Sequence, residues 1–206
     1  VPFTFKFFSP ELSGQLGLVR SLLAAISMLS REFIMVKRPL LGRYFSKKKY
    51  KDLFSTFCIA FLGSFFSYAA LTIIISCILF IFDPFQIKSK ILPFDEYLLF
   101  AVLTLIVNLI GWLSYFFRAQ KREVTHIGSL LVLISTILFI LLGNESISLR
   151  FLFQFLIYSN LIFILFYQLY NIRKFLGRHS LIFSEFLISY FNYIRNTFRN
   201  SYNYPK

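Results

Sequence analysis

Residues 54–82 form a long apolar run without a charged side chain, FSTFCIAFLGSFFSYAALTIIISCILFIF. As a helix this run would measure roughly 43 Å, whereas the hydrocarbon core of a bilayer is about 30 Å thick. A bilayer favours such a helix because the helix satisfies all of its backbone polar groups internally. The run therefore predicts an integral membrane protein. Its excess length predicts a first span that tilts, kinks or projects beyond the membrane.

Three further apolar segments predict additional spans, so the expected fold is all-α with four transmembrane helices. The spans cover about 54–82, 97–117, 126–142 and 149–170. Charged residues or helix breakers follow them in turn, at Asp83-Pro84, Arg118, Gly143-Asn144 and Arg173. Residues 54–170 are thus predicted to form one transmembrane domain.

Amphipathic interfacial helices are expected at both ends of this domain. Between residues 11 and 35, apolar side chains recur at steps of three and four, at Leu12, Leu16, Val19, Leu23 and Ile26. Pro39 and Gly42 are expected to end this helix. Since no water-soluble domain follows, its apolar face is expected to lie on the membrane surface or on a partner. A narrow polar stripe from residue 180 onwards predicts a second interfacial helix, so the chain divides into residues 1–53, 54–170 and 171–206.

The positive charge of the chain lies mainly beside the apolar segments. The net charge is +13, and a four-span topology places 19 of the 22 Lys and Arg residues on one side. This asymmetry predicts that both termini lie on the cytoplasm-equivalent side, which is the matrix in mitochondria. Without a nucleic-acid-binding motif, the charge predicts anionic lipids as partners and no nucleic acid. The expected headgroup contacts are Arg43, Lys47, Lys48, Lys49, Lys51, Arg118, Lys121, Arg122, Arg173 and Lys174.

Small and polar residues within the spans predict contacts between helices. Gly63 and Ser67 are four positions apart, a spacing at which small side chains let a second helix approach closely. Asn108, near the middle of the second span, is expected to face another helix, because a lone amide in hydrocarbon requires a polar partner. Gln154 and Asn160 are assigned the same role in the fourth span.

The four predicted spans contain no charged residue in their interiors, which argues against an autonomous ion-coupled transporter. No nucleotide-binding, nucleophile-elbow or zinc-protease motif is present, and two His residues are too few for a typical metal site. Cys58 and Cys77 would lie about 28 Å apart on one helix, too far for a disulfide. The chain is therefore expected to be non-catalytic, without a metal or a cofactor of its own.

His126 is the one weak candidate for a cofactor contact. The segment Val124-Thr-His-Ile-Gly128, with the Leu-rich run after it, resembles the start of a span in cytochrome c haem-handling proteins. The resemblance covers about twenty of the 206 residues and implies that His126 contacts haem. The large extramembrane domain of that family has no counterpart here, which favours an interfacial histidine.

Two function classes follow from these patterns. The first is a non-catalytic subunit of a multi-subunit membrane complex, such as a respiratory or ATP-synthase complex of the mitochondrial inner membrane, with bound phospholipids. The 29 Phe residues agree with this location, because Phe codons accumulate in AT-rich genomes. The alternative is a small permease or cytochrome-biogenesis component. The helix ahead of the first span resembles the elbow helix of some ABC permeases, although four spans are too few for that family.

Overall fold

The computed structural model describes residues 9–82, 90–121, 126–142 and 148–178, and these are helical without a strand. This confirms the all-α prediction for the described part of the chain. The predicted tail helix from residue 180 and the headgroup contact Arg122 lie outside it. The helices are α1 (Pro10–Ser46), α2 (Tyr50–Cys77, continued by a π-helical turn at Ile78–Phe82), α3 (Phe94–Ala119), α4 (His126–Leu142), α5 (Leu149–Asn160) and α6 (Phe166–Arg178), with a π-helical segment (Leu161–Leu165) joining α5 to α6.

Helix α1 is longer than the sequence pattern predicts. Its start matches a capped helix, because Ser9 Oγ accepts a hydrogen bond from the Leu12 amide at 3.3 Å and Pro10 occupies the first turn. Pro39 and Gly42, expected to end the helix, lie inside it instead. A proline removes one backbone donor, a cost that packing can offset. Leu41 is fully buried against residues of α2, α3 and α6, and this contact holds the last turns of α1 in place.

Helices α1 and α2 form an antiparallel hairpin. Its turn, Lys47–Lys49, has Lys48 in the left-handed region with φ 56°, and the Lys49 amide donates to the Tyr44 carbonyl at 3.0 Å. Phe33 packs on Gly63, where an added Cβ would meet the Phe33 ring at 3.1 Å. Positions 33 and 63 are each 15 residues from Lys48, as a hairpin with helices of matched rise requires.

The apolar face of α1 is buried inside the chain itself. Val19, Leu23 and Ile26 are exposed by only 1–2% and belong to the same apolar cluster as Trp112 and Tyr97 of α3. The expectation that this face lies on the membrane surface or on a partner is therefore wrong for these residues. It arose because the sequence pattern gives the apolar stripe of a helix but not the surface that the stripe covers.

Helices α1, α3 and α5–α6 all run in the same direction. Ser27 and Arg38 of α1 contact Asn108 and Tyr115 of α3 in that order along both helices. Likewise α3 meets α5 at one end, through Phe100 stacked on Phe153, and α6 at the other, through Phe116 against Phe175.

Helices α2 and α4 run in the opposite direction. Helix α4 meets the π-helical segment at Gly128 and α5 at Phe139, whose ring stacks on Phe155 at 4.2 Å. The five segments thus alternate up and down, and Pro10 and Arg178 lie at opposite ends of the bundle. The two chain termini lie outside the described residues, so the expectation that both lie on one side stays a prediction.

In the described part of the chain, four helices are long and apolar enough to cross a membrane, which agrees with the predicted number, although α1 takes the place of α4 among them. They are Pro10–Ser46, Tyr50–Ile81, Phe94–Ala119 and Leu149–Arg178. Helix α1, predicted to be interfacial, is one of them. Helix α4, predicted to be a span, has 17 described residues that measure about 25 Å, less than the thickness of the hydrocarbon core.

Candidate functional site

A groove of about 540 Å³ opens between α1, α3 and α5. Helix α1 contributes positions four, seven, eight and eleven residues after Arg20, which places all of them on one face. The lining residues are Arg20, Ala24, Ser27, Met28, Arg31, Phe100, Leu103, Thr104, Val107, Asn108, Leu156 and Asn160. Half of these side chains are apolar, and the other half carry guanidinium, amide or hydroxyl groups.

The polar lining is ordered along α1. Arg20 and Arg31 are separated by 11 residues, or roughly 16 Å along the helix axis. Between them, Asn108 Nδ2 donates a hydrogen bond of 2.7 Å to Ser27 Oγ, and Ser27 Oγ in turn donates to the Leu23 carbonyl at 2.7 Å. These two hydrogen bonds fix the orientations of the Asn108 and Ser27 side chains, so the groove wall between the two arginines has one geometry.

Both arginines lie level with the uncharged stretch of α2. Because Phe33 packs on Gly63 in the hairpin, Arg31 is level with about residue 65 and Arg20 with about residue 76. Measured from the middle of the 54–82 run, Arg31 is displaced by roughly 5 Å and Arg20 by roughly 12 Å along the axis. The prediction of spans without interior charges did not cover α1, and α1 adds these two arginines to the helices that are long and apolar enough to cross a membrane.

Asn160 ends α5 at the groove wall. Its side chain is 9% exposed, and Nδ2 donates to the Leu156 carbonyl at 2.8 Å, a carbonyl that also accepts from Ser159 Oγ at 3.1 Å. The helix widens into the π-helical segment directly after this residue. Side chains that hydrogen-bond to a carbonyl of their own helix, and π-helical turns, both occur where the regular hydrogen-bond pattern of an α-helix is interrupted.

Polar contacts connect α2 and α6 to α3. Tyr68 Oη donates to the Ala101 carbonyl at 3.1 Å, and Ser76 Oγ donates to Tyr97 Oη at 3.1 Å. Gln168, fully buried, donates through Nε2 to Ser114 Oγ at 3.1 Å and to the Ile110 carbonyl at 3.2 Å. Gln168 was not among the residues predicted to pack helices, although an amide within an apolar run was the available signal.

The other residues assigned to helix packing occupy different surroundings. Gly63 lies under the Phe33 ring, so it allows α1 and α2 to approach closely. Ser67 and Gln154 are half-buried. Gly128 is a further packing residue that was not predicted from the sequence, and a Cβ added there would meet the Phe163 carbonyl oxygen at 2.7 Å.

The described basic residues assigned to headgroups gather at one end of the bundle. This end is defined by the α1–α2 turn and the C-terminal ends of α3 and α6, whose apolar side chains form one cluster. The exposed cations there are Arg43, Lys47, Lys48, Lys49, Lys51, Arg118, Lys121, Arg173 and Lys174. Arg38 and Arg118 lie 5.7 and 6.0 Å from the ring centre of Tyr115. We call this surface the basic end.

His126, the weak haem candidate, is the exposed first residue of α4 and does not line the groove. Cys58 and Cys77 are free thiols. In the described ranges, His, Cys, Asp and Glu form no group of three or more that could hold a metal ion. The groove is therefore the strongest candidate site, and its chemistry is that of binding through guanidinium and amide donors. Comparisons with protein-family models, curated proteins and solved structures gave no match to the chain.

Proposed function

We propose that the chain is a non-catalytic subunit of a multi-subunit membrane complex, in which it packs against helices of other subunits and against phospholipids. Within this proposal the complex is a respiratory or ATP-synthase complex of the mitochondrial inner membrane. The basic end lies on the matrix side, because basic residues are retained on that side of a membrane. The partners are other membrane subunits and anionic lipids.

The exposed apolar surface of helix α4 is the observation that supports this proposal. The helix packs mainly against α5 and the π-helical segment, and its remaining surface is apolar and exposed. Its described part, His126–Leu142, measures about 25 Å, less than the hydrocarbon core, and one way to relieve such a mismatch is association with further helices. The exposed side chains include Leu130, Leu133, Ile137, Leu138 and Leu141. This helix thus offers an apolar surface on which a neighbouring subunit can pack.

Native electrophoresis of the chain after extraction in a mild detergent tests the proposal. We expect migration in a large assembly, together with co-purifying membrane proteins identified by mass spectrometry. A photo-crosslinking residue at Leu138 should capture a neighbouring subunit. A photo-crosslinking residue at Ile73, which is exposed on α2, serves as the matched control on another helix. Migration as a small oligomer without other chains would contradict the proposal.

A small permease is the second candidate, and the two arginines level with the α2 span favour it. Charged side chains at that depth typically line pathways for substrates or ions. Reconstitution of the purified chain in vesicles would distinguish the two, since a permease should move a solute without other subunits. If the chain is instead a cytochrome-biogenesis component in which His126 contacts haem, the purified chain should show a haem absorption band, and His126→Ala should remove that band.

A further inference from the structure

We propose that the groove between α1, α3 and α5 is a binding site for an anionic amphiphile. The acid group, a carboxylate or a phosphate, is held by Arg31, Arg20 lies at the outer end of the groove, and the apolar chain lies along the groove wall. This inference is independent of the proposed subunit role, because it concerns only residues of this chain.

The charge of the groove selects an anion. Two guanidinium groups line it, and its described lining residues include no carboxylate. Glu32 follows Arg31 directly, but adjacent positions on a helix do not face each other, and Glu32 is not a lining residue. Arginine presents planar paired donors that match the oxygens of carboxylates and phosphates.

The depth of Arg31 favours such a partner. Arg31 is level with the central part of the uncharged α2 stretch, roughly 5 Å along the axis from its middle. A guanidinium at that depth is costly unless it faces a polar cavity or an opposite charge. Long helical side chains lean towards the N-terminus of their helix, which directs Arg31 towards the level of Ser27 and Asn108 in the groove.

Arg20 occupies the other end of the groove, closer to the membrane surface opposite the basic end. It lies roughly 12 Å from the middle of the uncharged α2 stretch, on the side away from the basic end, where a long side chain can reach headgroups. An amphiphile that enters from this surface therefore meets Arg20 first and Arg31 at the inner end of the site. The order of the two cations accounts for both the entry and the retention of an acid group.

The remaining walls suit an apolar chain. Met28 and Val107 are 63% and 49% exposed, and with Phe100 and Leu156 they form an apolar strip beside the two arginines. The volume of about 540 Å³ falls within the range of roughly 300–1,000 Å³ typical of small-molecule sites. A small inorganic anion would leave this strip uncovered, so the site favours an acid group attached to a chain.

Binding of hexadecanoate and of hexadecanol to the full chain in neutral phosphatidylcholine nanodiscs tests the charge requirement without any mutation. The two compounds share a chain and differ in the acid group. We expect hexadecanoate to bind at least tenfold more tightly, a ratio in keeping with a charge-assisted hydrogen bond. Equal affinities would overturn the proposal, and so would competition by inorganic phosphate as strong as by hexadecanoate.

A second measurement distinguishes the source of the acid group. Native mass spectrometry of the chain from nanodiscs that contain phosphatidylglycerol and phosphatidylcholine reports which lipid is retained. Retained phosphatidylglycerol that hexadecanoate displaces identifies a phospholipid as an occupant of the groove. Hexadecanoate binding without phosphatidylglycerol retention identifies a free fatty acid.

Variants locate the site. Arg31→Gln should weaken hexadecanoate binding about tenfold or more, and Arg31→Lys should restore part of it, because the lysine keeps the charge but not the paired donors. Lys37→Gln is the matched control, since Lys37 is exposed on α1 outside the groove. Ala24→Trp fills the groove without changing its charge and should also abolish binding. Unchanged binding by both Arg31→Gln and Ala24→Trp would overturn the proposed location.

Discussion

Gly128 of α4 lies so close to Phe163 that a Cβ atom at position 128 would stand 2.7 Å from the Phe163 carbonyl oxygen. The same Cβ would also meet Ile164 Cγ1 at 3.0 Å. Neither neighbour is free to withdraw, because Phe163 presents backbone and Ile164 is buried. This contact attaches the start of α4 to the π-helical segment between α5 and α6.

We predict that Gly128→Ala destabilises the bundle by about 1–3 kcal/mol, the range for overpacking a close contact. Thermal unfolding of the purified chain in detergent measures the loss. The matched control is Gly111→Ala in α3, where an added Cβ meets nothing within 4 Å. That change should be neutral or slightly stabilising, since alanine favours helix over glycine. Equal effects of the two substitutions would show that α4 does not depend on this contact.

The second prediction concerns the hydrogen bond between Asn108 and Ser27. Asn108→Leu should lower the stability of the packed state by about 0.6–1.7 kcal/mol while leaving membrane insertion intact, because the polar contact is lost and the helix becomes more apolar. A double-mutant cycle with Ser27→Ala isolates the pair. We expect the double variant to lose less than the two single variants together. Strict additivity would mean that Asn108 gains its stabilisation elsewhere.

The third prediction tests whether the apolar face of α1 belongs to the bundle. Leu23→Ala should cost about 2–5 kcal/mol, because Leu23 is 1% exposed and its truncation leaves a cavity. Leu29→Ala, in the same helix at 60% exposure, should change stability by no more than about 0.5 kcal/mol. Equal stability losses in the two variants would place α1 on a membrane surface or a partner instead.

The fourth prediction concerns the direction of α1. In a chain with Cys58 and Cys77 replaced by alanine, single variants Ser9→Cys, Lys48→Cys and Lys90→Cys place a thiol at each end of the bundle. A membrane-impermeant maleimide should label position 48 from one side and positions 9 and 90 from the other. Labelling of positions 9 and 48 from the same side would show that α1 does not cross the membrane.

The membrane class and the helical fold could be predicted from the sequence alone. An uncharged run of 29 residues, 54–82, indicates a helix within a bilayer, and this inference needs no knowledge of neighbouring helices. The starts of α2, α3 and α5 lie near the predicted span starts because charged residues and prolines separate the apolar runs. Local composition decides such features.

The candidate site could not be predicted, because it depends on which helix faces meet. In the sequence, Arg20 and Arg31 are typical of the polar side of an interfacial helix. Only the α1–α2 hairpin brings them level with the uncharged part of α2. Asn108 was expected to face a helix, but nothing in the sequence identifies Ser27, 81 positions earlier, as the group that it contacts. Contacts of this kind are set by the packing of whole helices.

The sequence by itself therefore determined that the chain forms long apolar helices with basic ends, since hydropathy and charge act on each segment separately. Tertiary structure alone decided that α1 joins the bundle, that Gly128 and Gln168 hold helices together, and that two arginines share a groove with Asn108 and Asn160. The physical reason is that a helical periodicity defines a face, whereas the surface that covers this face is chosen by shape and polar partners far away in the sequence.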